Sequence, residues 1–225
     1  MNDAWSIEKE LCKLAKKDKL PDALSALGLI SSPQEDYTIS SHGSWERGGA
    51  ETYIFKFSIK TNSNINKYIL KACVKFSPSM SIDKIIDEWV SRRNLISSFG
   101  ISTPKLFYFG DGVLIEEFIP FTLKNQLKDS FNNNILYDLA YYSGILELNK
   151  FLTIAPFSDL RSRGDDLVVI DFGEDLGSPN SKKQTNESLF ENLIKTLKKW
   201  DIKITNEIIF NMKNIFKSVD KQTIH

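Results

Sequence analysis

The sequence predicts an α+β fold with two lobes, an antiparallel sheet with one helix followed by a mainly helical part. Three observations predict it. Apolar and polar residues alternate in segments between 37 and 118, helical spacing dominates after Pro120, and a short apolar strand over 167–170 ends at Asp171. The predicted regions are an N-terminal helical extension over 1–36, a sheet lobe over 37–119 and a reduced helical lobe over 120–225.

Composition excludes several classes of protein. Of the 225 residues, 41% are hydrophobic, and 29 basic residues balance 29 acidic ones, so we expect no nucleic-acid partner. No apolar stretch is long enough to span a membrane, and the first residues carry charges where a signal peptide would be apolar. Cys12 and Cys73 are the only cysteines and are far apart, which indicates a reducing, cytoplasmic compartment.

The elements of the N-terminal extension and of the sheet lobe follow from their periodicity. Residues 4–29 have the spacing of one or two amphipathic helices, with a break at Pro21. The alternation of Tyr53 to Ile59 predicts a strand, and Gly100 is a suitable end for the next helix. The remaining expected elements of this lobe are a strand over 68–74, a helix over 81–99, and strands over 105–108 and 113–118 that flank a Gly-Asp-Gly turn.

The second lobe is expected to contain helices joined by turns rich in Asn and Lys. Leu136, Leu139 and Leu148 belong to the apolar stripe of the longest of them. The predicted helices cover residues 122–130, 135–150, 187–199 and 205–218.

Two motifs carry chemistry. Lys71 interrupts the apolar strand Tyr68-Ile69-Leu70-Lys71, and a cation fixed on a strand can hold a polyphosphate. Leu167-Val168-Val169-Ile170 leads directly into Asp171-Phe172-Gly173, which places a carboxylate at the end of a strand. Such a carboxylate suits Mg²⁺, a hard cation that keeps phosphate oxygens as partners. The sequence therefore predicts a site for phosphoryl transfer.

These motifs resemble the protein-kinase-like superfamily and are most similar to its aminoglycoside and choline phosphotransferase branch. The resemblance extends from about Thr38 to Pro179 and includes a hinge-like strand over 114–120 and an acidic-Gly-Pro tail over 174–179. It implies ATP and Mg²⁺ as cofactors, with Lys71 on the α- and β-phosphates and Asp171 on the metal. Lys75 is a rival for Lys71 on the same strand.

The resemblance also implies further nucleotide contacts. Glu88, on the following helix, would orient the lysine, and Gly48 and Gly49 would lie in the phosphate loop. Backbone groups from Glu116 to Phe118 would read the adenine edge. Leu160 falls where the family often has a nucleotide-contacting Leu. The alternatives are solvated surface charges for Lys71 and Glu88, a hairpin turn for the glycines and an edge strand for 114–120.

The segment before Asp171 departs from the family, because no His-x-Asp followed by Asn is present. In one alignment the catalytic loop is 157–161 and Asp159 is the catalytic Asp, which we favour because a carboxylate is available there. In the other, 159–161 is a strand, 162–165 a turn and 167–170 the partner strand. Thr153 then replaces the catalytic Asp and Ser158 the metal-binding Asn, which would leave a degenerate site.

The expected activity is an ATP- and Mg²⁺-dependent phosphotransferase, with a pseudokinase or nucleotide-binding interaction module as the alternative and adenylylation as a third possibility. Residues 182–225 contain nine Lys and five acidic residues, a net charge of +4. A positive lobe repels polycationic aminoglycosides, so we expect a protein or anionic small-molecule acceptor. The short second lobe also resembles kinase-like effectors that bacteria deliver into host cells.

Overall fold

Five strands form one antiparallel sheet, in which successive side chains point to opposite faces. The computed structural model describes residues 6–47, 52–74, 81–151, 156–157, 160–173, 176 and 188–219. The strands are β1 (Tyr37–Arg47), β2 (Thr52–Thr61), β3 (Ile65–Cys73), β4 (Leu106–Gly110) and β5 (Val113–Glu117). Their order in the sheet is β1-β2-β3-β5-β4. The predicted α+β class is confirmed.

The described chain divides into two units. The first runs to Glu88 and includes Lys105–Phe118, and the second contains Trp89–Pro104 and the chain from Ile119 onward.

In the first unit, two short helices cover one face of the sheet. They are α1 (Ile7–Ala15) and α2 (Leu20–Ala26), and Pro21 lies in the first turn of α2, where its missing N–H costs nothing. The core combines helical and loop residues with alternate strand residues. Its fully or nearly fully buried side chains include Leu11, Leu24, Phe55, Phe57, Ile59, Tyr68, Leu70 and Ile115. Since strand side chains alternate, residues such as Lys71 are left to the opposite face.

The helix α3 (Ile82–Ser98) begins in the first unit and continues in the second. In the first unit, the turn between β4 and β5 approaches it closely. A Cβ atom at Gly112 would lie 2.7 Å from Ile82 Cγ2, and the residue has a φ of +78°. Both the space and the backbone conformation therefore require glycine at this position.

The second unit is built on helix α5 (Asn133–Leu148), which is buried along most of its length. The helices α6 (Leu189–Lys199) and α7 (Asn206–Ser218) pack against it, and α4 (Leu123–Asp129) precedes it in the chain. The Glu147 carboxylate on α5 accepts a hydrogen bond of 2.7 Å from the Leu189 N–H at the start of α6. A negative charge there satisfies a free helix donor and opposes the helix dipole.

A small sheet completes the second unit. It consists of β6 (Phe121–Thr122), β7 (Leu160–Arg163) and β8 (Asp166–Val169), in the order β6-β7-β8. Gly164 adopts a φ of +60° in the turn between β7 and β8. Val169 N–H also donates to Ser102 O at 3.0 Å, which ties this hairpin to the segment after α3.

No helix among the described residues is long and apolar enough to cross a membrane.

Candidate functional site

Lys71 lies on β3 with its side chain on the face opposite the apolar core. Tyr68 and Leu70 turn into that core, and Lys71 is only 13% exposed. The β3–β5 register places Lys71 directly opposite Leu114. A cation this buried needs a charged partner, because transfer from water into a protein costs several kcal/mol per ion.

That partner is Glu116 on β5. Its Oε2 lies 2.8 Å from Lys71 Nζ, and the side chain is 1% exposed. The register pairs Glu116 with Ile69, two residues before Lys71, so the two charges are diagonal neighbours on one face of the sheet. The two charged groups form an ion pair whose angles are not those of a hydrogen bond. Neither Glu116 oxygen accepts a hydrogen bond within the described part of the chain.

The ion pair of Lys71 with Glu116 was not predicted from the sequence, although the position of Glu116 in the chain is unusual. Glu116 follows Leu114 and Ile115 in an apolar strand, where an acidic residue is unusual. The predicted partner, Glu88, is half-buried on α3. Its role in orienting Lys71 stays a prediction. Glu116 is a second candidate for that role, because it contacts Lys71 in the structure.

Two backbone donors of the hinge-like segment are bonded to neighbouring strands or loops. The Glu117 N–H donates to Lys105 O at 2.9 Å, and the Phe118 N–H donates to Lys67 O at 3.0 Å. The reason is that pairing to β3 and β4 continues to the end of β5. These two N–H groups are therefore engaged within the sheet. An adenine contact by them would require those bonds to break.

The residues directly before the predicted phosphate loop of Gly48 and Gly49 form a strand. Residues 42–47 continue β1, with an irregularity in the pairing to β2 between His42 and Glu46. The His42 Nε2 atom lies 2.9 Å from Ser58 Oγ, which gives this histidine a structural contact. Gly48 and Gly49 lie outside the described residues, and so does Lys75.

A cavity of about 600 Å³ opens elsewhere in the first unit. It lies between the loop after α2, the β2–β3 turn and the ends of β4 and β5. Tyr68, Phe107 and Phe118 contribute aromatic rings to it, and the Tyr68 hydroxyl donates to Leu29 O at 3.1 Å. Glu117 and Phe118, from the segment predicted to contact adenine, are in its lining.

In the second unit, Asp171 follows the β7–β8 hairpin by two residues. Its Oδ1 accepts a hydrogen bond of 2.9 Å from the Gly173 N–H, which fixes the carboxylate against its own turn. Tyr142 on α5 is buried, and burial together with the negative charge of Asp171 raises the Tyr142 pKa. Asp171 itself is half-buried.

The turn after Asp171 is also held from α3. Arg92 Nη1 donates to Phe172 O at 2.9 Å and to Gly173 O at 3.0 Å. Phe172 is 4% exposed, so the side chain of the middle residue is packed while its carbonyl is bonded to a cation. Nothing in the sequence pattern pointed to Arg92.

The segment before the hairpin bears on both alignments. Asp159, Thr153 and Ser158 lie outside the described residues. Leu160 is the first residue of β7, is 3% exposed and pairs with Val169. The alignment with a loop over 157–161 is therefore wrong in its last two residues, since residues 160 and 161 pair with β8 in a strand. The strand, turn and partner strand of the other alignment are present, with the turn narrowed to residues 164–165.

The described acidic residues are compatible with Mg²⁺ bound by a single carboxylate, and not with a cluster of several protein ligands. No group of three His, Cys, Asp or Glu side chains that could hold a metal occurs within the described ranges. Mg²⁺ does not need one, because it is usually bound by one or two carboxylates together with substrate phosphates and water. Asp171 supplies one such carboxylate in a fixed turn.

Comparisons with protein-family models and with curated proteins find no match to this chain.

Proposed function

We propose that this chain is a protein-kinase-like phosphotransferase that binds ATP and Mg²⁺. The observation that carries the proposal is Lys71, a lysine of 13% exposure on the third strand of an antiparallel sheet, with its ammonium held by a carboxylate. Protein kinases place their phosphate-binding lysine on the third strand and hold it with an acidic residue. Here Glu116 supplies the contact, and Glu88 on the helix after β3 is a second candidate.

Asp171 is the proposed ligand of Mg²⁺. Its position after β8, in a turn with Phe172 and Gly173, supports this assignment. When bound, Mg²⁺ would neutralise phosphate charge. The chain's own contribution is to hold the Asp171 carboxylate by the Gly173 N–H and to supply a fixed cation at Lys71.

The proposed acceptor is a hydroxyl of a protein or of an anionic small molecule. The net charge of +4 over residues 182–225 supports an anionic partner. In this proposal Asp159 orients the acceptor hydroxyl, since no other carboxylate occurs between the end of α5 and β7.

A second candidate is a nucleotide-binding module that transfers no phosphate. The strand over Leu160–Arg163 favours it, because that strand is what the alignment with a degenerate catalytic segment predicts. Both candidates share Lys71 and Asp171. They differ only in what Asp159 does, so one variant separates them.

Binding is tested by thermal unfolding with and without Mg·ATP. At 100 times its Kd, a ligand of the native state stabilises by about 2.7 kcal/mol, which raises the Tm of a chain of this length by roughly 5–10 °C. Lys71→Ala and Asp171→Ala are expected to remove most of this shift. Lys60→Ala and Asp165→Ala are the matched controls, since both side chains are exposed on the same units. Equal shifts in all four variants would contradict the nucleotide site.

Transfer is tested with γ-³²P-ATP and by mass spectrometry of the products. The phosphotransferase predicts labelled protein or acceptor in the wild type and its loss in Asp159→Asn. Binding without any transfer would favour the second candidate. An added adenylate in place of a phosphate would indicate adenylylation.

A further inference from the structure

The turn that carries Asp171 accepts two hydrogen bonds from one side chain of α3. Arg92 Nη1 donates to the carbonyls of two consecutive residues, Phe172 at 2.9 Å and Gly173 at 3.0 Å. Hydrogen bonds from a charged donor are shorter and about twice as strong as those between neutral groups. Two such bonds to neighbouring carbonyls fix both the place and the orientation of the peptide between them.

That peptide in turn orients the carboxylate. The peptide between Phe172 and Gly173 carries the N–H that donates to Asp171 Oδ1 at 2.9 Å. One peptide unit therefore accepts from Arg92 through its carbonyl and donates to Asp171 through its N–H. Movement of the guanidinium would move the donor that holds the Asp171 carboxylate, and bonds along such a chain polarise one another.

We propose that Arg92 is a positioning residue for Asp171 and sets its affinity for a divalent cation. This inference rests on the proposed function, in which Asp171 binds Mg²⁺. A group one step removed from a metal ligand typically changes metal affinity by about 10- to 100-fold when it is replaced. Arginine suits the role because its planar group keeps several donors in fixed directions, whereas lysine carries one ammonium on a flexible stem.

Arg93 provides a matched control. It follows Arg92 on α3 and also donates to a backbone carbonyl, with Nη2 2.7 Å from Pro104 O. This bond ends on the segment after the helix and not on the Asp171 turn. Loss of stability alone would affect variants of both arginines, whereas loss of positioning would affect only Arg92.

The experiment measures the binding of Mn²⁺, which replaces Mg²⁺, by electron paramagnetic resonance in the presence of ATP. Arg92→Gln is expected to weaken Mn²⁺ binding about tenfold or more, and to leave metal-free ATP binding unchanged. Arg92→Lys is expected to restore part of the affinity, and it serves as the second variant if Arg92→Gln does not fold. Arg93→Gln should bind Mn²⁺ as the wild type does.

A second readout needs no nucleotide. Amide hydrogen exchange of Gly173, followed by NMR, should be faster in Arg92→Gln and unchanged in Arg93→Gln, because only the first loosens the turn. Wild-type Mn²⁺ affinity in both Arg92 variants would overturn the inference and leave the proposed function standing. Failure of the wild-type protein to bind Mn²⁺·ATP would overturn the proposed function and, with it, the role of Arg92.

Discussion

Glu116→Gln is predicted to destabilise the first unit because it removes the buried negative charge beside Lys71. At 2.8 Å the Coulomb attraction is roughly 6 kcal/mol at an effective dielectric constant of about 20. Desolvation offsets much of this attraction. Removal of one partner of a buried pair nevertheless costs about 3–5 kcal/mol. Since Lys71 keeps 13% exposure, we expect about 3 kcal/mol.

The assay is urea unfolding of Glu116→Gln, Lys71→Met and the double variant. The double variant should lose less stability than the sum of the two single variants, because no buried charge is left. We expect a coupling energy of about 2 kcal/mol, within the range measured for contacting residues.

The control is an ion pair of nearly equal length with a different burial. Lys56 Nζ lies 2.9 Å from Glu46 Oε2, but the side chains are 34% and 59% exposed. Glu46→Gln should therefore cost less than about 1 kcal/mol. If Glu116→Gln costs no more than Glu46→Gln, burial does not set the strength of the Lys71 pair, and the reasoning is refuted.

Two further predictions concern packing and pH. Gly144→Ala should destabilise the protein by about 1–3 kcal/mol in urea unfolding, because the added Cβ would lie 2.8 Å from Phe216 O. This loss should exceed the gain from the helix propensity of alanine, and increased stability would contradict this packing. The Tyr108 hydroxyl donates a hydrogen bond of 2.6 Å to the Asp111 carboxylate. Burial and this carboxylate raise the Tyr108 pKa to about 12. The folded state thus favours the protonated phenol, so this contribution to stability is complete below about pH 10 and is lost between about pH 10 and 12. Tyr108→Phe should flatten the stability profile in that window, and an unchanged profile would count against the shift.

Local periodicity was sufficient for the helices and for most strands. The helix predicted over 81–99 is Ile82–Ser98, and the strand predicted over 68–74 is Ile65–Cys73, which begins three residues earlier and ends one residue earlier. These segments carry apolar residues at the spacing of their own structure, so each can be read within a short window. The strand β6, of two residues, is too short to have such a period and was not predicted.

Candidate site residues were harder to predict than elements. Lys71 stood out because a lysine is unusual in an apolar strand, and Asp171 because a strand ends directly before it. Their contacts did not stand out. Glu116 and Lys71 are 45 positions apart and meet only through the register of two strands, and Arg92 meets the Asp171 turn across a separation of 80 residues. Sequence spacing carries no information on such pairs without the fold.

The sequence by itself determined the α+β class, the places of most helices and strands, and the two residues that suggest phosphate and metal chemistry. Tertiary structure decided which groups hold them: a buried carboxylate on β5 for Lys71, and a guanidinium from α3 for the turn of Asp171. The physical reason is that periodicity is a local property of a segment. A buried charge, in contrast, takes the partner that strand register and helix packing bring within about 3 Å.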